Sequence, residues 1–382
     1  MRRSASAEIS MAVAVCAAVV CTRLPGAEPG IASTPPGSAD NSVQIADLML
    51  RSAPGPVRDR PGWRPPQLIL IAAELRDQLP ALRRIAPDVR FLEVDAHTPL
   101  AAVADADAAL GLCEPRLIQA APHLQWIQWM AAGVEYCVAQ PVIQQRQPLV
   151  TNLQRAAASS MAEHVLGLML MLNRHLDFYY RLQQHHHWAV DSDTVPQVAD
   201  LKEETVLVVG LGGIGSEVAR RASAFGMRVV ATRASDAGAP DYVSYVGTPE
   251  ELPKLAVDAD FVVNCTPLTP KTQGIFNKEL FALMKPTAYF INVGRGGSVV
   301  TADLIAAIKA GRIAGAGLDV TDPEPLPASS ELWRLPNVLI TPHISGESAV
   351  TVSLRNAVLM ENLRRYVAGE PMVSVVDLQR GY

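Results

Sequence analysis

Apolar positions along the chain cluster into short runs, and between them lie helical periodicities and glycine- or proline-bearing turns. Gln67–Ala72, Val89–Val94 and Asp105–Leu112 read as strands, and a further strand ends in the small-residue loop Ala131-Ala132-Gly133. Glu74–Ile85, which Pro80 should break or kink, and Pro115–Ala121 read as helices. This alternation predicts a small α/β lobe of roughly ninety residues. Trp126 and Trp129 are expected to pack within it.

Ser160-Met-Ala-Glu163 has the form of a capping box. The helix it opens is apolar almost all round at Val165–Leu172, so it should be buried between lobes. His164 on that helix reads as a packed or capping histidine. His185-His186-His187 follows, and consecutive residues cannot share one helix face, so a solvated turn is expected.

Thr205–Val209 is a β-branched apolar run of the kind a buried parallel strand requires. It enters Gly210-Leu-Gly212-Gly213-Ile214-Gly215, then a helical pattern, Gly226 as a stop, and a second strand at Arg228–Ala231. Strand, glycine turn, helix and strand in that order are the setting in which G-x-G-x-x-G binds a dinucleotide. The glycines permit a tight turn and close approach of a pyrophosphate, and the helix N-terminus offers N–H groups to it. Further strands are expected at Phe261–Asn264, Ala288–Asn292, Ala314–Val320 and Val338–Ile340, with a helix at Thr301–Ala310 closed by Gly311.

A carboxylate closing the second strand would hold the ribose hydroxyls of NAD. Here the segment is Thr232-Arg233-Ala234-Ser235. Arg233 cannot accept those hydrogen bonds but can pair with a 2′-phosphate, which favours NADP over NAD. The competing reading has Arg233 solvated and Asp236 on the ribose.

Residues 1–64 are unlike the rest. Arg2-Arg3 precede the apolar run Met11–Cys21, and Pro, Gly, Ala and Ser dominate to Pro66. Two readings stand: a secretory signal with a small-residue cleavage site at Gly30-Ile31-Ala32, or an extension outside the fold. Glu8 in the basic region and a nicotinamide cofactor, a cytoplasmic resource, favour the second and a cytoplasmic protein; the first implies periplasmic export. The apolar run is too short for a stable membrane span. Both readings set residues 1–64 apart from a substrate domain at 65–158, a nucleotide domain at 159–345, and a C-terminal helix and tail at 346–382.

The full chain of 382 residues is 49% hydrophobic with a net charge of −5. That supports a large core and leaves no basic footprint for nucleic acid. The five cysteines (Cys16, Cys21, Cys113, Cys137, Cys265) are scattered without zinc spacing, so neither a disulfide framework nor a structural metal is expected.

In an open parallel sheet, ligands bind beyond the carboxyl ends of the strands. Arg295, Asp319, Glu324 and His343 all follow such ends. Arg295, flanked by glycines, can hold a carboxylate and polarise the adjacent carbonyl. His343 can donate the proton that carbonyl reduction needs, and Glu324 can orient His343 and stabilise its charged form.

With these motifs in place the chain resembles the D-isomer-specific 2-hydroxyacid dehydrogenases, in the branch of glyoxylate and hydroxypyruvate reductases. The resemblance rests on Gly210–Gly215, Thr266-Pro-Leu-Thr-Pro-Lys-Thr272, Asn292-Val-Gly-Arg-Gly-Gly297, Gly317-Leu-Asp-Val320, Glu324-Pro-Leu326 and Thr341-Pro-His343. It covers about residues 67–378. It implies an α/β fold in which a Rossmann dinucleotide-binding domain is inserted in a smaller flavodoxin-like substrate domain that takes back a helix near Ser348–Val367. It implies Arg295, Glu324 and His343 as the catalytic set, and substrate carboxylate on Arg295 and on the backbone of Ala132, Gly133 and Val134. Cofactor contacts are implied for Gly210, Gly212, Gly213, Ile214, Gly215, Arg233, Thr266, Pro267, Thr272, Val293, Gly294, Ser345 and Gly346, and for Asp319 at the nicotinamide carboxamide. It also implies a small 2-keto or 2-hydroxy acid as partner molecule and a homodimer.

There are departures. Soon after Thr151-Asn152 the family often has Arg-Gly, where this chain has Gln154-Arg155. Arg233 stands where many members are acidic. Two alternatives remain at this point: a phosphite or other anion dehydrogenase on the same triad, and a dinucleotide-sensing, corepressor-like binding protein.

Overall fold

The computed structural model describes residues 48–188, 196, 198–235 and 238–382. Met11–Cys21, the 30–32 cleavage site and Asp236 lie outside them.

The first lobe is built on a five-stranded parallel sheet of β1 (Leu68–Ala72), β2 (Arg90–Val94), β3 (Ala108–Leu110), β4 (Trp126–Gln128) and β5 (Leu149–Thr151), in the order β2-β1-β3-β4-β5. This is the flavodoxin-like order. All five residues of β1 are buried, as a parallel strand covered on both faces must be. The expected helix at 74–85 is a 3-10 segment, Ala73–Gln78, followed by an α-helix, Leu79–Ile85. Pro80 stands in the first turn of that helix, where its missing N–H costs no hydrogen bond. The third strand is shorter than its apolar run. Asp107 turns its carboxylate back to accept the N–H groups of Gln67 and Leu68, at 2.7 and 3.1 Å.

The second lobe has seven parallel strands: β6 (Thr205–Val209), β7 (Arg228–Thr232), β8 (Tyr245–Gly247), β9 (Phe261–Asn264), β10 (Tyr289–Asn292), β11 (Gly315–Leu318) and β12 (Val338–Ile340). Their order is β12-β11-β10-β9-β6-β7-β8. Strand order reverses between β6 and β9, which is the switch point of a Rossmann sheet. The sequence pattern did not reveal β8.

The interlobe helix Ala158–Asn173 buries Ala162, Val165, Leu168, Met169 and Leu172 against one face of this sheet, beside the helix Gly213–Ala224. Its apolar circumference is explained by this burial. Its start differs from the sequence reading. The N-cap is Ala157 with no side-chain cap, three residues before the Ser160 of the expected box. Ser160 instead shares its hydroxyl with Ser348 (2.9 Å) and Thr351 (3.0 Å), so a contact far along the sequence replaces the local cap.

After β12 the chain returns to the first lobe as the helix Ala349–Ala368, capped by Ser348, whose hydroxyl accepts from the Thr351 N–H at 3.0 Å. Leu359, Leu363 and Tyr366 are buried on Ile69, Ile71 and Trp126. Tyr366 stacks on Trp126 at 4.7 Å between centroids and donates to the Asp107 carbonyl. The nucleotide lobe is therefore an insertion in the smaller lobe.

Two expectations need correction. Setting residues 1–64 apart removes too much: residues 48–64 pack on the first lobe. Val57 is buried, Ala53 and Val57 donate backbone hydrogen bonds to Met372 and Glu370, and Arg64 pairs with buried Asp107. Partners such as Met372 and Glu370 lie near the other end of the chain, beyond any local pattern. Second, Cys113 and Cys137 form a disulfide, with Cα atoms 5.5 Å apart. Cys113 follows β3 and Cys137 sits in the helix Glu135–Val138 after β4, so two adjacent parallel strands deliver the thiols to one edge. Among the described residues no cluster of His, Cys, Asp or Glu could hold a metal ion, and no helix is long and apolar enough to cross a membrane. His185, His186 and His187 are exposed at the end of the helix Leu176–Gln184.

Candidate active site

The loops beyond β6, β9, β10, β11 and β12 converge at the switch point, and buried asparagines tie those beyond β9 and β10. Asn264 Oδ1 accepts from the Thr266 N–H and hydroxyl, at 3.0 and 2.7 Å. Its amide donates to Asn292 Oδ1, which also accepts the Gly294 N–H at 3.1 Å. Thr272 closes the Thr266–Thr272 turn by donating to the Pro267 carbonyl at 2.6 Å. The expected cofactor loops are thus cross-tied by the protein's own hydrogen bonds. In the glycine turn, a Cβ on Gly215 would stand 2.2 Å from the Gly210 carbonyl, so only glycine lets the helix start this close to the strand.

Arg233 follows β7 as expected. Its Nε donates to the Leu211 carbonyl and one Nη to the Gly238 carbonyl, both at 3.0 Å. Burial holds its guanidinium below its ordinary pKa, a field from Tyr242 opposes this and the charge of Arg155 adds to it. The group is held by backbone carbonyls at the rim of the turn, with positive charge beside it.

Asp319 is buried, and its carboxylate accepts from Thr341 Oγ1 at 2.6 Å, Ile344 N at 2.9 Å and Ser345 N at 3.0 Å. Its carbonyl accepts from the His343 N–H. It therefore shapes the 341–345 loop that carries His343, whose backbone is left-handed at φ 55°. His164 joins this network: its Nε2 lies 2.9 Å from Thr341 Oγ1 and 3.8 Å from Asp319. Buried Ser345 Oγ has no hydrogen-bond partner among the described residues. A buried hydroxyl without a partner costs stability, so this is a place where a bound polar group fits.

His343 Nδ1 lies 2.9 Å from Glu324 Oε2, and Glu324 Oε1 accepts the Thr321 N–H at 2.9 Å. Burial pushes the Glu324 carboxyl up. The hydrogen bonds from His343 and Thr321, with the charges of His343 and Arg295, outweigh it and hold the carboxyl below its ordinary range. The carboxylate is thus ionised where it meets the imidazole.

Arg295 reaches across the interlobe cleft. One Nη donates to the Gly294 carbonyl at 2.7 Å. A Cβ placed on Gly133 would stand 1.7 Å from the other, so the guanidinium lies directly on the Gly133 backbone. Trp129, expected only to pack, fixes this loop: its Nε1 donates to the Gly133 carbonyl at 2.7 Å. Asn152 does the same from the hinge, donating to the Ala132 carbonyl at 2.7 Å. Val134 is buried beneath. The structure thereby brings Arg295, Glu324 and His343 together with the Ala132–Val134 loop.

Sequence reasoning missed Glu135. Its carboxylate pairs with Arg295 Nε at 3.1 Å. Its position two residues beyond Gly133 was the available signal.

The family model for the NAD binding domain of D-isomer specific 2-hydroxyacid dehydrogenases matches residues 166–345. Glyoxylate reductase/hydroxypyruvate reductase of Homo sapiens is 33% identical over 334 residues, which cover 82% of this chain and all of that protein. The chain belongs to the D-isomer specific 2-hydroxyacid dehydrogenase family. It is an NAD(P)-dependent dehydrogenase of that family. The family member glyoxylate/hydroxypyruvate reductase A of Yersinia enterocolitica is 34% identical over 235 residues, 62% of this chain and 72% of its own. Among solved structures, a D-isomer specific 2-hydroxyacid dehydrogenase from Xanthobacter autotrophicus Py2, in complex with NADPH and MES, superposes with a TM-score of 0.71 at 30% identity, covering 84% of this chain and 100% of that one. An NADPH-dependent glyoxylate/hydroxypyruvate reductase from Sinorhizobium meliloti, in complex with NADP and sulfate, gives 0.71 at 28%, covering 83% and 100%.

Proposed function

We propose that this dehydrogenase reduces small 2-keto acids to D-2-hydroxy acids, with glyoxylate and hydroxypyruvate as first substrates and NADPH preferred to NADH. The observation that carries the reading is the cross-cleft contact of Arg295 with Gly133, beside the 2.9 Å pair of His343 and Glu324. An anion anchor and a proton donor then face one cleft.

The Gly210–Gly215 turn would hold the pyrophosphate, the 266–272 and 293–294 loops the ribose and nicotinamide, and Ser345, Gly346 and Asp319 the carboxamide side. When bound, the reduced nicotinamide supplies the hydride. Arg295 and the N–H groups of the 132–134 loop hold the substrate carboxylate, and Arg295 polarises the neighbouring carbonyl. With Nδ1 given to Glu324, His343 keeps Nε2 for the substrate and delivers its proton to the carbonyl oxygen. Glu324 stabilises the imidazolium before transfer and fixes the ring after it. The His343 side chain is 40% exposed, which lets solvent restore the proton.

The NADPH preference is supported by Arg233 at the end of β7 and by the NADPH and NADP bound in the two related structures. We further propose a homodimer. The test follows absorbance at 340 nm with purified protein, NADPH or NADH, and a panel of 2-keto acids. Faster oxidation of NADPH with glyoxylate or hydroxypyruvate is the expected result. Tight NADPH binding with no turnover on any keto acid would sink the reductase reading.

A further inference from the structure

The departure at Gln154-Arg155 acquires a physical meaning in the fold. Arg155 lies in the connection between β5 and the interlobe helix, and its backbone is left-handed at φ 66°. That conformation favours glycine and disfavours a long side chain. The side chain is half-buried and makes no hydrogen bond or ion pair among the described residues. A long cationic side chain with no hydrogen bond or ion pair among the described residues thus stands on a backbone that glycine would suit better.

Its position shows what the arrangement can do. A Cβ on Gly213 would stand 2.6 Å from Arg155 Cγ, so Arg155 lies across the first residue of the glycine-turn helix Gly213–Ala224. The N–H groups of that turn face the place of a dinucleotide's phosphates. Yet Arg155 belongs to the other lobe. Just before it, Leu153 N donates to the Ala131 carbonyl at 3.1 Å, and Asn152 Nδ2 to the Ala132 carbonyl. The segment that holds the substrate loop thus extends a cation over the cofactor turn.

We propose that Arg155 is a cofactor ligand supplied by the substrate lobe, whose guanidinium pairs with the pyrophosphate common to NADPH and NADH. This rests on the dinucleotide seating at Gly210–Gly215 in the proposed function. Arg233, which follows β7 and donates to the Leu211 and Gly238 carbonyls, takes the 2′-phosphate, so the two arginines divide the anionic groups of NADPH. Arg155 is then the link by which cofactor binding fixes the substrate loop.

The experiment measures dissociation constants of NADPH and NADH by fluorescence titration on the full chain and on Arg155→Gly, Arg155→Lys and Gly213→Ala. Glycine suits the left-handed backbone, so Arg155→Gly is expected to melt no lower than the parent protein. Loss of a charge-assisted pair should weaken both cofactors by the same factor, at least about tenfold. Arg155→Lys should recover part of the loss. Gly213→Ala should weaken binding in the parent, because its methyl displaces Arg155, but not in the Arg155→Gly background. Unchanged constants in Arg155→Gly overturn the inference and leave the proposed function intact. So does a loss confined to NADPH, which would place Arg155 on the 2′-phosphate. Failure of the parent protein to bind either dinucleotide overturns the proposed function and this inference together.

Discussion

Glu135 gives a prediction with an unusual sign. It places a carboxylate on the arginine that should receive the substrate's carboxylate, 3.1 Å from Nε. A substrate anion must therefore displace or share that partner. Coulomb's law at this distance gives about 5 kcal/mol at an effective dielectric near 20 and about 1 kcal/mol in water. The two side chains are 30% and 29% exposed, and double-mutant measurements on such pairs favour the lower figure. Releasing Arg295 from a competing pair of about 1 kcal/mol should tighten substrate binding about fivefold. Glu135→Gln keeps the shape of the side chain and removes its charge. Initial rates at saturating NADPH over a range of glyoxylate or hydroxypyruvate concentrations should show KM reduced about fivefold, with kcat little changed. A KM equal to or above that of the parent would refute the reasoning, and would mean that Glu135 positions Arg295 rather than competing for it.

Other outcomes can be checked alongside. Arg295→Ala and His343→Ala should each lower kcat/KM at least about a hundredfold while leaving the circular dichroism spectrum and melting temperature near those of the parent. Arg233→Ala should raise the dissociation constant of NADPH about tenfold or more and leave that of NADH nearly unchanged, as titration of both cofactors would show. Glu204 is half-buried with one carboxylate oxygen unpartnered among the described residues, and burial, then the charge of Asp260, raise its pKa from 4.5 to about 7. The folded state then binds more protons than the unfolded state, so stability should fall as pH rises from about 4.5 to about 7; discounted for exposure the loss is about 1–2 kcal/mol, and Glu204→Gln should remove it from the pH dependence of urea unfolding. Replacing Cys113 and Cys137 together by serine opens a loop with a sequence separation of 24 and should cost about 3 kcal/mol in the same assay.

What could be read in the chain was local. β6, the glycine turn and the strand ends that carry Arg295, Asp319 and His343 were legible because buried parallel strands impose apolar runs and phosphate approach imposes glycine. The features that escaped are set by partners distant in sequence. Ser160 fits a capping box by spacing, yet its hydroxyl is taken by Ser348 and Thr351. Cys113 and Cys137 meet because β3 and β4 are neighbours, which cysteine spacing alone does not encode. Residues 48–64 have too little periodicity to be recognised, since their hydrogen bonds go to the segment 369–374. Glu135 and Arg155 look like ordinary surface charges until the lobes face each other.

The chain passes between the lobes twice, once before the interlobe helix and once after Ser345. The two passages touch: a Cβ on Gly346 would stand 3.2 Å from the Ala157 methyl, and Ser160 bonds to Ser348 and Thr351. Like a door hung on paired pins, such a joint resists twist and shear while permitting a swing. The nucleotide lobe can then approach the Gly133 loop along essentially one path. Arg295 and His343 both belong to the nucleotide lobe, so a swing about this joint would bring them to that loop together.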